Sequence, residues 1–300
     1  MATSILETAI RGGIRTAASL SPALGARAAL PVLFLAAPPM PLGVSSPLAA
    51  ATERNADTGS LIVRGRPITT YAWGSGDRSV LLLHGWRGRA TQFAPLIAQL
   101  TAAGMRVVSF DAPAHGTSPG RTTDLRDWVA AAGQLHERDG GFDAIVGHSL
   151  GGLAALTAAR ELAPTPAVAV VSAPTNPGRI LTEFADELAL PETARPHLTR
   201  RFAARVDETQ ATLLDRYDAA AHPLSESTRL LIVHDKQDRR IPDSEALRLR
   251  EAHGERAQLL RTSGLGHSRI LAAEPVVTAL AEFVTAAAQD HATPDDPSGS

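Results

Sequence analysis

One five-residue segment, Gly147-His148-Ser149-Leu150-Gly151, constrains the fold of this chain more than any other feature. The short apolar run 144–146 before it is typical of a buried strand, and the Ala- and Leu-rich run 152–162 after it is typical of a helix. The pattern predicts a strand, a sharp turn and a helix, with the Ser149 hydroxyl presented at a sheet edge. Such a turn is strained and needs small neighbours. The chain supplies three of them, Gly147, Gly151 and Gly152.

Two later loops carry candidate partners for the Ser149 hydroxyl. Asp238 lies in a polar loop after the apolar run 229–233 and is the candidate acid that would orient a histidine. Asp235 is a competing candidate, and a turn carboxylate is the alternative interpretation of Asp238. His267 lies on a glycine-rich loop after the last short apolar run and is the candidate general base. The order serine, aspartate, histidine favours this interpretation over an ordinary surface histidine.

An earlier loop is the candidate site for stabilising a negatively charged oxygen. The apolar run 80–83 predicts a buried strand, and His84-Gly-Trp-Arg-Gly88 follows it directly. We expect two backbone N–H groups, those of Trp86 and Leu150, to form an oxyanion hole. His84 is interpreted as a loop-stabilising residue, and the Trp86 ring either lines the pocket or packs in the core. The side chains expected to line the substrate pocket are His84, Trp86, His148, Phe184 and Phe202.

With these residues assembled, the chain resembles an α/β-hydrolase-fold protein over roughly residues 61–288. The motifs that carry the resemblance are His84-Gly85, Asp111–Ser118, the Ser149 turn, and the loops of Asp238 and His267. The residue sequences of these motifs are also similar to those of a bacterial subgroup of serine hydrolases regarded as esterases.

The Asp111–Ser118 motif departs from the family pattern at one position. It resembles the family's D-x-P-G-H-G-x-S loop, with Ala114 standing where the family has glycine. This mild change implies that the turn there need not be left-handed. His115 and Ser118 are expected to stabilise this loop.

The resemblance implies both a fold and a chemistry. The fold class is α/β: an α/β-hydrolase fold with a mostly parallel central sheet, flanking helices and a helical cap insertion. The chemistry is that of a Ser149–Asp238–His267 catalytic triad, which needs no metal or organic cofactor. Serine at the turn, where some relatives have aspartate, implies an acyl-type intermediate.

Periodicity divides the chain into four parts. Residues 1–60 predict an N-terminal helical and irregular extension, with a helix over 4–19 and a Pro-rich connector over 38–47. Alternating strands and helices over 61–174 and 229–288 predict the α/β core. Residues 175–228 predict a helical insertion, with helices near 179–188 and 195–214, and the resemblance implies that this insertion is a cap. The polar tail, 289–300, predicts disorder.

Composition limits the classes of partner that the chain is expected to bind. The net charge of −2 gives no reason to expect nucleic acid, and the absence of cysteine excludes thiolate metal sites. The apolar run near residues 28–37 is too short for a membrane span. We expect a cytoplasmic protein, although that run leaves export or membrane association open, and the oligomeric state is not determined.

The function predicted from these residues is hydrolysis of a small-molecule carboxylic ester by a serine hydrolase. An acyltransferase, or a C–C bond hydrolase or perhydrolase, would use the same three residues. A non-catalytic binding protein on the same fold is a further alternative.

Overall fold

An eight-stranded sheet organises most of the chain in the computed structural model, which describes residues 2–35 and 47–290. Its strands are β1 (Asp57–Val63), β2 (Arg66–Trp73), β3 (Ser79–Leu83), β4 (Arg106–Asp111), β5 (Ala144–His148), β6 (Ala167–Val171), β7 (Arg229–Asp235) and β8 (Ala257–Thr262). The strand order is β1-β2-β4-β3-β5-β6-β7-β8. All pairs are parallel except β1–β2 and β2–β4. The predicted mostly parallel sheet is therefore confirmed.

Twelve α-helices accompany this sheet in the described residues. They are α1 (Ala2–Leu20), α2 (Pro22–Phe34), α3 (Pro47–Arg54), α4 (Ala94–Ala102), α5 (Leu125–Asp139), α6 (Leu150–Glu161), α7 (Pro177–Glu187), α8 (Arg195–Arg205), α9 (Gln210–Arg216), α10 (Asp243–His253), α11 (Gly266–Arg269) and α12 (Glu274–Asp290).

Apolar side chains cover both faces of the sheet, as expected for parallel strands between helices. On one face, residues from β3, β5, β6 and β7 form a buried cluster with α4 and α12, including Leu82, Val146, Val171, Leu100 and Val284. Alternate residues of the same strands are buried too, with α6 and α10 contacting the strands. Because the strands run parallel, the loops after β3, β4, β5, β7 and β8 meet at one edge.

The chain divides into two compact units. The sheet unit contains residues 47–174 and 223–290, and the helical unit contains residues 2–35 and 175–222. The predicted boundary at residue 60 differs from this division, because β1 begins at Asp57 and α3 already belongs to the sheet unit. A single extension over residues 1–60 was therefore wrong: α1 and α2 join the helical insertion instead.

A hydrophobic cluster explains why α1 and α2 belong with the insertion. Ile14, Ala26 and Leu33 from the N-terminal pair are buried against Leu181 and Leu198 from α7 and α8. The Arg11 guanidinium also donates to the Glu187 carbonyl oxygen at 2.7 Å. Two stretches that are distant in sequence thus share one core, which periodicity within either stretch cannot reveal.

Other boundaries also shifted. The predicted helix over 195–214 is two helices, because Asp207 has a positive φ of 56° and the Thr209 side chain caps α9. The tail was predicted to begin at residue 289, but α12 extends to Asp290, so its first two residues are helical. Residues 291–300 and the connector before Pro47 lie outside the described residues. The role of the insertion as a cap stays a prediction.

Length and apolar composition decide whether a helix among the described residues could span a membrane. No single one is long and apolar enough to cross a bilayer, although Gly266–Ala272 and Glu274–Gln289, bent by 64°, meet the length and composition requirements together.

Two glycine substitutions test the packing of α1 against α2. A methyl group at Gly25 would lie 2.4 Å from Ala18 Cβ, whereas nothing lies within 4 Å of one at Gly13. We expect Gly25→Ala to lower the free energy of unfolding by about 1–2 kcal/mol through overpacking. Gly13→Ala should raise it by about 0.5–1 kcal/mol, because alanine favours a helix over glycine. Denaturant unfolding measures both, and an equal gain for the two variants would contradict the packing described here.

Candidate active site

Ser149 occupies the sharp turn between β5 and α6. Its backbone has φ 54° and ψ −123°, a conformation that non-glycine residues seldom adopt. The Ser149 N–H donates to the Val171 carbonyl oxygen of the neighbouring strand at 2.9 Å. The side chain is half-buried and its hydroxyl stands at the carboxyl end of the sheet.

The glycines around this turn permit its close packing. A methyl group at Gly147 would lie 2.3 Å from the Gly151 carbonyl oxygen. One at Gly151 would lie 2.2 Å from the Leu83 carbonyl oxygen, and one at Gly152 would lie 2.6 Å from Ala173 Cβ. Each distance is well inside van der Waals contact, so these three positions exclude any larger residue.

Three side chains from three different loops form a chain of hydrogen bonds at this edge. His267 Nε2 lies 3.0 Å from Ser149 Oγ, and His267 Nδ1 lies 2.7 Å from Asp238 Oδ2. His267 sits in the short helix α11, and both His267 and Asp238 are buried. The structure therefore brings together the serine, aspartate and histidine that the sequence singled out.

The surroundings of Asp238 favour its charged form. Burial alone would raise the pKa of this carboxyl, but hydrogen bonds and charge attraction from His267 and two backbone N–H groups lower the pKa to about 2. Those N–H groups belong to Arg240 and Ile241, which donate to Oδ1 at 2.8 and 3.1 Å. An ionised Asp238 accepts a hydrogen bond from the Nδ1–H of His267, which leaves Nε2 free to accept from the Ser149 hydroxyl.

Asp235, the competing acid, has a different environment. It accepts hydrogen bonds from the Gln237 and Leu265 N–H groups, both at 3.0 Å, and from the Thr262 hydroxyl at 2.8 Å. These contacts join the loop after β7 to the loop after β8. Asp235 therefore holds the two loops together, and His267 contacts Asp238 instead.

The loop after β3 lies directly against the Ser149 turn. A methyl group at Gly85 would lie 3.0 Å from Ser149 Cβ. On either side of Trp86, the Gly88 N–H donates to the Gly85 carbonyl oxygen at 3.0 Å and the Arg87 N–H donates to His115 Nε2 at 2.7 Å. Leu150 begins α6, where the first N–H groups have no acceptor within the helix. The predicted oxyanion hole of Trp86 and Leu150 stays a prediction.

His84 supports this loop from beneath. Its ring is fully buried, with Nδ1 2.8 Å from the Gly85 carbonyl oxygen and Nε2 accepting from the Ala112 N–H at 3.0 Å. Burial lowers the pKa of His84 to about 4. The expectation that His84 lines the substrate pocket was therefore wrong, because both ring nitrogens are bound to backbone and no ring surface is accessible.

Asp111, to which the sequence analysis gave no individual role, joins the loops after β3 and β4. Its carboxylate accepts from the Ala90 N–H, the Thr117 N–H and the Tyr71 hydroxyl, each at 2.8 Å. A methyl group at Gly116 would overlap this carboxylate. His115 and Ser118 stabilise the same loop, as expected: Ser118 accepts from the Thr69 N–H, and His115 holds the Arg87 N–H.

The turn at Ala114 is left-handed, although an alanine at this position implied that it need not be. Its φ is 64°, although alanine is disfavoured there. The Ala114 N–H donates to the Pro119 carbonyl oxygen at 3.0 Å, and the His115 N–H donates to the Ala112 carbonyl oxygen at 2.9 Å. These hydrogen bonds hold the turn in the conformation that a glycine would adopt more readily.

His148 was expected in the substrate pocket, and the structure corrects this as well. Its side chain is buried, Nε2 lies 2.9 Å from the His267 carbonyl oxygen, and Nδ1 lies 3.2 Å from Gln92 Nε2. The sequence carried no signal for Gln92, which lies in a short helical turn, Ala90–Phe93, after β3. His148 therefore faces other loops of the protein.

The other three residues expected to line the pocket belong to different units of the structure. Trp86 is half-buried, with its ring 5.3 Å from that of His115 and 6.1 Å from that of Trp128. Phe184 and Phe202 lie in the helical unit, packed against its own cluster, and Phe202 stacks on Phe34 at 5.3 Å. Packing within their own unit accounts for both phenylalanine rings, and the pocket role of these three residues stays a prediction.

The part of the chain that the structure describes holds no group of three or more histidine, aspartate or glutamate side chains arranged to bind a metal ion.

A mostly parallel eight-stranded sheet with a serine on a strained turn after β5 defines the class of α/β hydrolases. The chain belongs to the alpha/beta hydrolase family, whose sequence profile matches residues 80–280. This family membership confirms the resemblance on which the fold class was predicted.

Solved structures show the same fold. The Pyrococcus furiosus esterase Pf2001 is similar with a TM-score of 0.61 and 19% identity, covering 83% of this chain and 96% of its own. A monoacylglycerol lipase of Paleococcus ferrophilus is similar with a TM-score of 0.55 and 22% identity, covering 73% of this chain and 99% of its own. A thioesterase domain from the curacin biosynthetic pathway is similar with a TM-score of 0.55 and 16% identity, covering 77% of this chain and 99% of its own. At these identities the similarity shows the fold.

The left-handed alanine generates a stability prediction. Ala114→Gly relieves a conformation that costs about 1–2 kcal/mol, against about 0.4–1 kcal/mol of added freedom in the unfolded chain. We expect the free energy of unfolding to rise by about 0.5–1 kcal/mol in denaturant titrations. Ala112→Gly, in the same loop but without a positive φ, is the matched control and should lower it. A lower free energy of unfolding in both variants would contradict the backbone strain at Ala114.

Buried neutral histidines generate a pH prediction. Burial lowers the pKa of His84 to about 4, and that of His115 and His148 to about 3. As pH falls below about 6.5, the unfolded chain takes up protons at these positions that the folded chain does not. The free energy of unfolding should therefore fall from pH 7 to pH 5, by up to about 1.4 kcal/mol per pH unit for each histidine.

Denaturant titrations at pH 7, 6 and 5 at constant ionic strength measure this slope. His115→Gln removes one of the three proton-binding groups, while its amide oxygen can still accept from the Arg87 N–H, so the slope should flatten. Stability that does not change between pH 7 and pH 5 would contradict the neutral buried state.

Proposed function

We propose that this protein is a serine hydrolase that cleaves carboxylic esters through an acyl-enzyme intermediate. The observation that carries the proposal is the hydrogen-bond chain from Ser149 Oγ to His267 Nε2 and from His267 Nδ1 to Asp238 Oδ2. Membership of the alpha/beta hydrolase family supports hydrolase chemistry. The esterase and lipase structures of the same fold support an ester as the substrate.

The first half of the reaction follows from the direction of these hydrogen bonds. Asp238 accepts a hydrogen bond from the Nδ1–H of His267, so the free lone pair of His267 lies on Nε2, 3.0 Å from the serine oxygen. His267 takes the Ser149 proton as Oγ bonds to the ester carbonyl carbon. The carbonyl electrons move to oxygen, and the Trp86 and Leu150 N–H groups are proposed to stabilise that charge.

The second half releases both products. The proton on His267 passes to the alkoxy oxygen, and the alcohol leaves as the carbonyl re-forms on the acyl-enzyme. His267 then takes a proton from water, whose oxygen attacks the same carbon. Collapse of this second intermediate returns the proton to Ser149 Oγ and frees the carboxylic acid. Asp238 stays ionised throughout and stabilises the protonated histidine.

Hydrolysis of p-nitrophenyl acetate, butyrate and octanoate tests this proposal. Ser149→Ala should abolish hydrolysis while leaving the unfolding transition in place, because it removes only the hydroxyl that attacks the ester. Asp238→Asn should lower kcat on the order of 10⁴-fold by disturbing the histidine tautomer. The trend across the three esters measures the length of the acyl pocket.

Two further aspartate-to-asparagine variants test whether Asp238 is correctly assigned as the acid of the triad. Asp215 contacts His222 Nε2 at 3.1 Å on the protein surface, so Asp215→Asn removes a histidine-aspartate contact that involves no serine. It should leave kcat unchanged. If Asp235→Asn lowers kcat more than Asp238→Asn, the acid is wrongly assigned. Full turnover by Ser149→Ala would refute the mechanism, and a fluorophosphonate that labels Ser149 without ester hydrolysis would favour acyl transfer.

A further inference from the structure

Ser149 and His267 come from strands that are not neighbours in the sheet. Ser149 follows β5 and His267 follows β8, and β6 and β7 lie between those strands. Adjacent strands are about 4.8 Å apart, so the two strand ends are separated by about 14 Å. The 3.0 Å contact between Ser149 Oγ and His267 Nε2 therefore depends on attachments that bring the loop after β8 back across two strands.

The ring of His148, the residue before Ser149, provides one such attachment. Its Nε2 lies 2.9 Å from the backbone carbonyl oxygen of His267. A carbonyl oxygen only accepts, so Nε2 carries the proton and donates. Nδ1 then has a free lone pair and accepts from the Gln92 amide at 3.2 Å. Both nitrogens of a buried ring are thereby committed to protein partners.

The same ring contacts the loop that carries the predicted oxyanion donor. A methyl group at Gly85 would lie 3.0 Å from His148 Nδ1, and one at Gly88 would lie 2.3 Å from Gln92 Oε1. These glycines therefore allow the loop after β3 to lie directly on His148 and Gln92. The ring stands where the turn of Ser149, the loop of His267 and the loop of Trp86 meet.

We propose that His148 is a positioning residue that fixes the backbone of His267 relative to Ser149, with Gln92 holding the His148 ring in the donating orientation. The proposal rests on the serine-hydrolase function proposed above. Asp238 restrains the His267 ring at Nδ1, and His148 restrains the backbone of the same residue. Two restraints at opposite ends of His267 fix both where it stands and which way its ring faces.

The electrical neutrality of His148 is compatible with this role. The charged and titratable groups that act on its ring are His267, whose ring centroid is 4.9 Å away, Asp238 and Arg240. Burial and the proximity of His267 lower the pKa of His148 to about 3. His148 therefore stays neutral when His267 takes up the Ser149 proton, and it adds no repulsion to the imidazolium beside it.

Substitutions at His148 test the proposal in the full-length protein. His148→Phe keeps the ring and removes both hydrogen bonds, whereas His148→Gln retains an amide donor at about the reach of Nε2. The measurement is kcat and KM for p-nitrophenyl butyrate, expressed per serine titrated with a fluorophosphonate. We expect His148→Phe to lower kcat about 10- to 100-fold with KM within about two-fold, because misplacing a reacting group lowers the rate of chemistry. His148→Gln should regain most of the loss.

A second buried histidine is the matched control. His253 accepts from the Leu224 N–H at Nε2, 3.2 Å, and bonds the Leu249 carbonyl oxygen at Nδ1, 2.9 Å. His253 is the last residue of α10, and neither of its hydrogen bonds involves Ser149, Asp238 or His267. His253→Phe should reduce stability and leave kcat per titrated serine unchanged. The comparison separates a loss of folded protein from a loss of positioning.

The outcomes distinguish this proposal from the one on which it rests. Turnover of His148→Phe equal to wild type per titrated serine would overturn the positioning role, as would a His148→Gln variant as slow as His148→Phe. If His148→Phe does not fold, His148→Asn replaces it, since its shorter amide cannot reach the His267 carbonyl and should be slower than His148→Gln. Wild-type protein that neither hydrolyses esters nor labels at Ser149 would refute the proposed function, and the positioning role with it.

Discussion

The backbone of Ser149 adopts a conformation that non-glycine residues seldom adopt, with φ 54° and ψ −123°, and the neighbouring chain is packed to keep it there. Such a residue costs about 1–3 kcal/mol and persists only where its surroundings over-determine it. The Val171 carbonyl accepts its N–H, and α6 begins so close to the end of β3 that Gly151 has no room for a methyl group. The strained turn therefore requires the parallel neighbours on both sides of β5.

Neutral imidazoles hold the loops that surround this turn. His84, His115 and His148 are buried, and each ring uses one nitrogen on a carbonyl oxygen and the other on an N–H donor. A neutral histidine offers one donor and one acceptor, which suits it to join two backbone segments. His267 differs from these three because its partners are the Asp238 carboxylate and the Ser149 hydroxyl.

Local sequence patterns predicted much of this architecture. The parallel sheet followed from apolar runs separated by helical segments. Ser149 and His267 were identified by residue type, order and the loops that follow strands, and the resemblance to α/β hydrolases favoured Asp238 over Asp235. The failures have a common physical cause. The burial of His84 and His148 and the partnership of α1 and α2 with the helical insertion depend on contacts between segments far apart in the chain. Periodicity reports only on neighbours within a few residues.

The sequence by itself determined the order of strands and helices and the positions that must be glycine. It also supplied a serine, an aspartate and a histidine on successive loops, because residue type and spacing act locally. The tertiary structure decided which of two nearby carboxylates faces His267, since Asp235 accepts from the loop after β8 while Asp238 contacts the imidazole. It also decided that His148 bonds the backbone of His267. Neither choice is encoded in spacing, because strands β5, β7 and β8 must first pair in register before those atoms lie within 3 Å of one another.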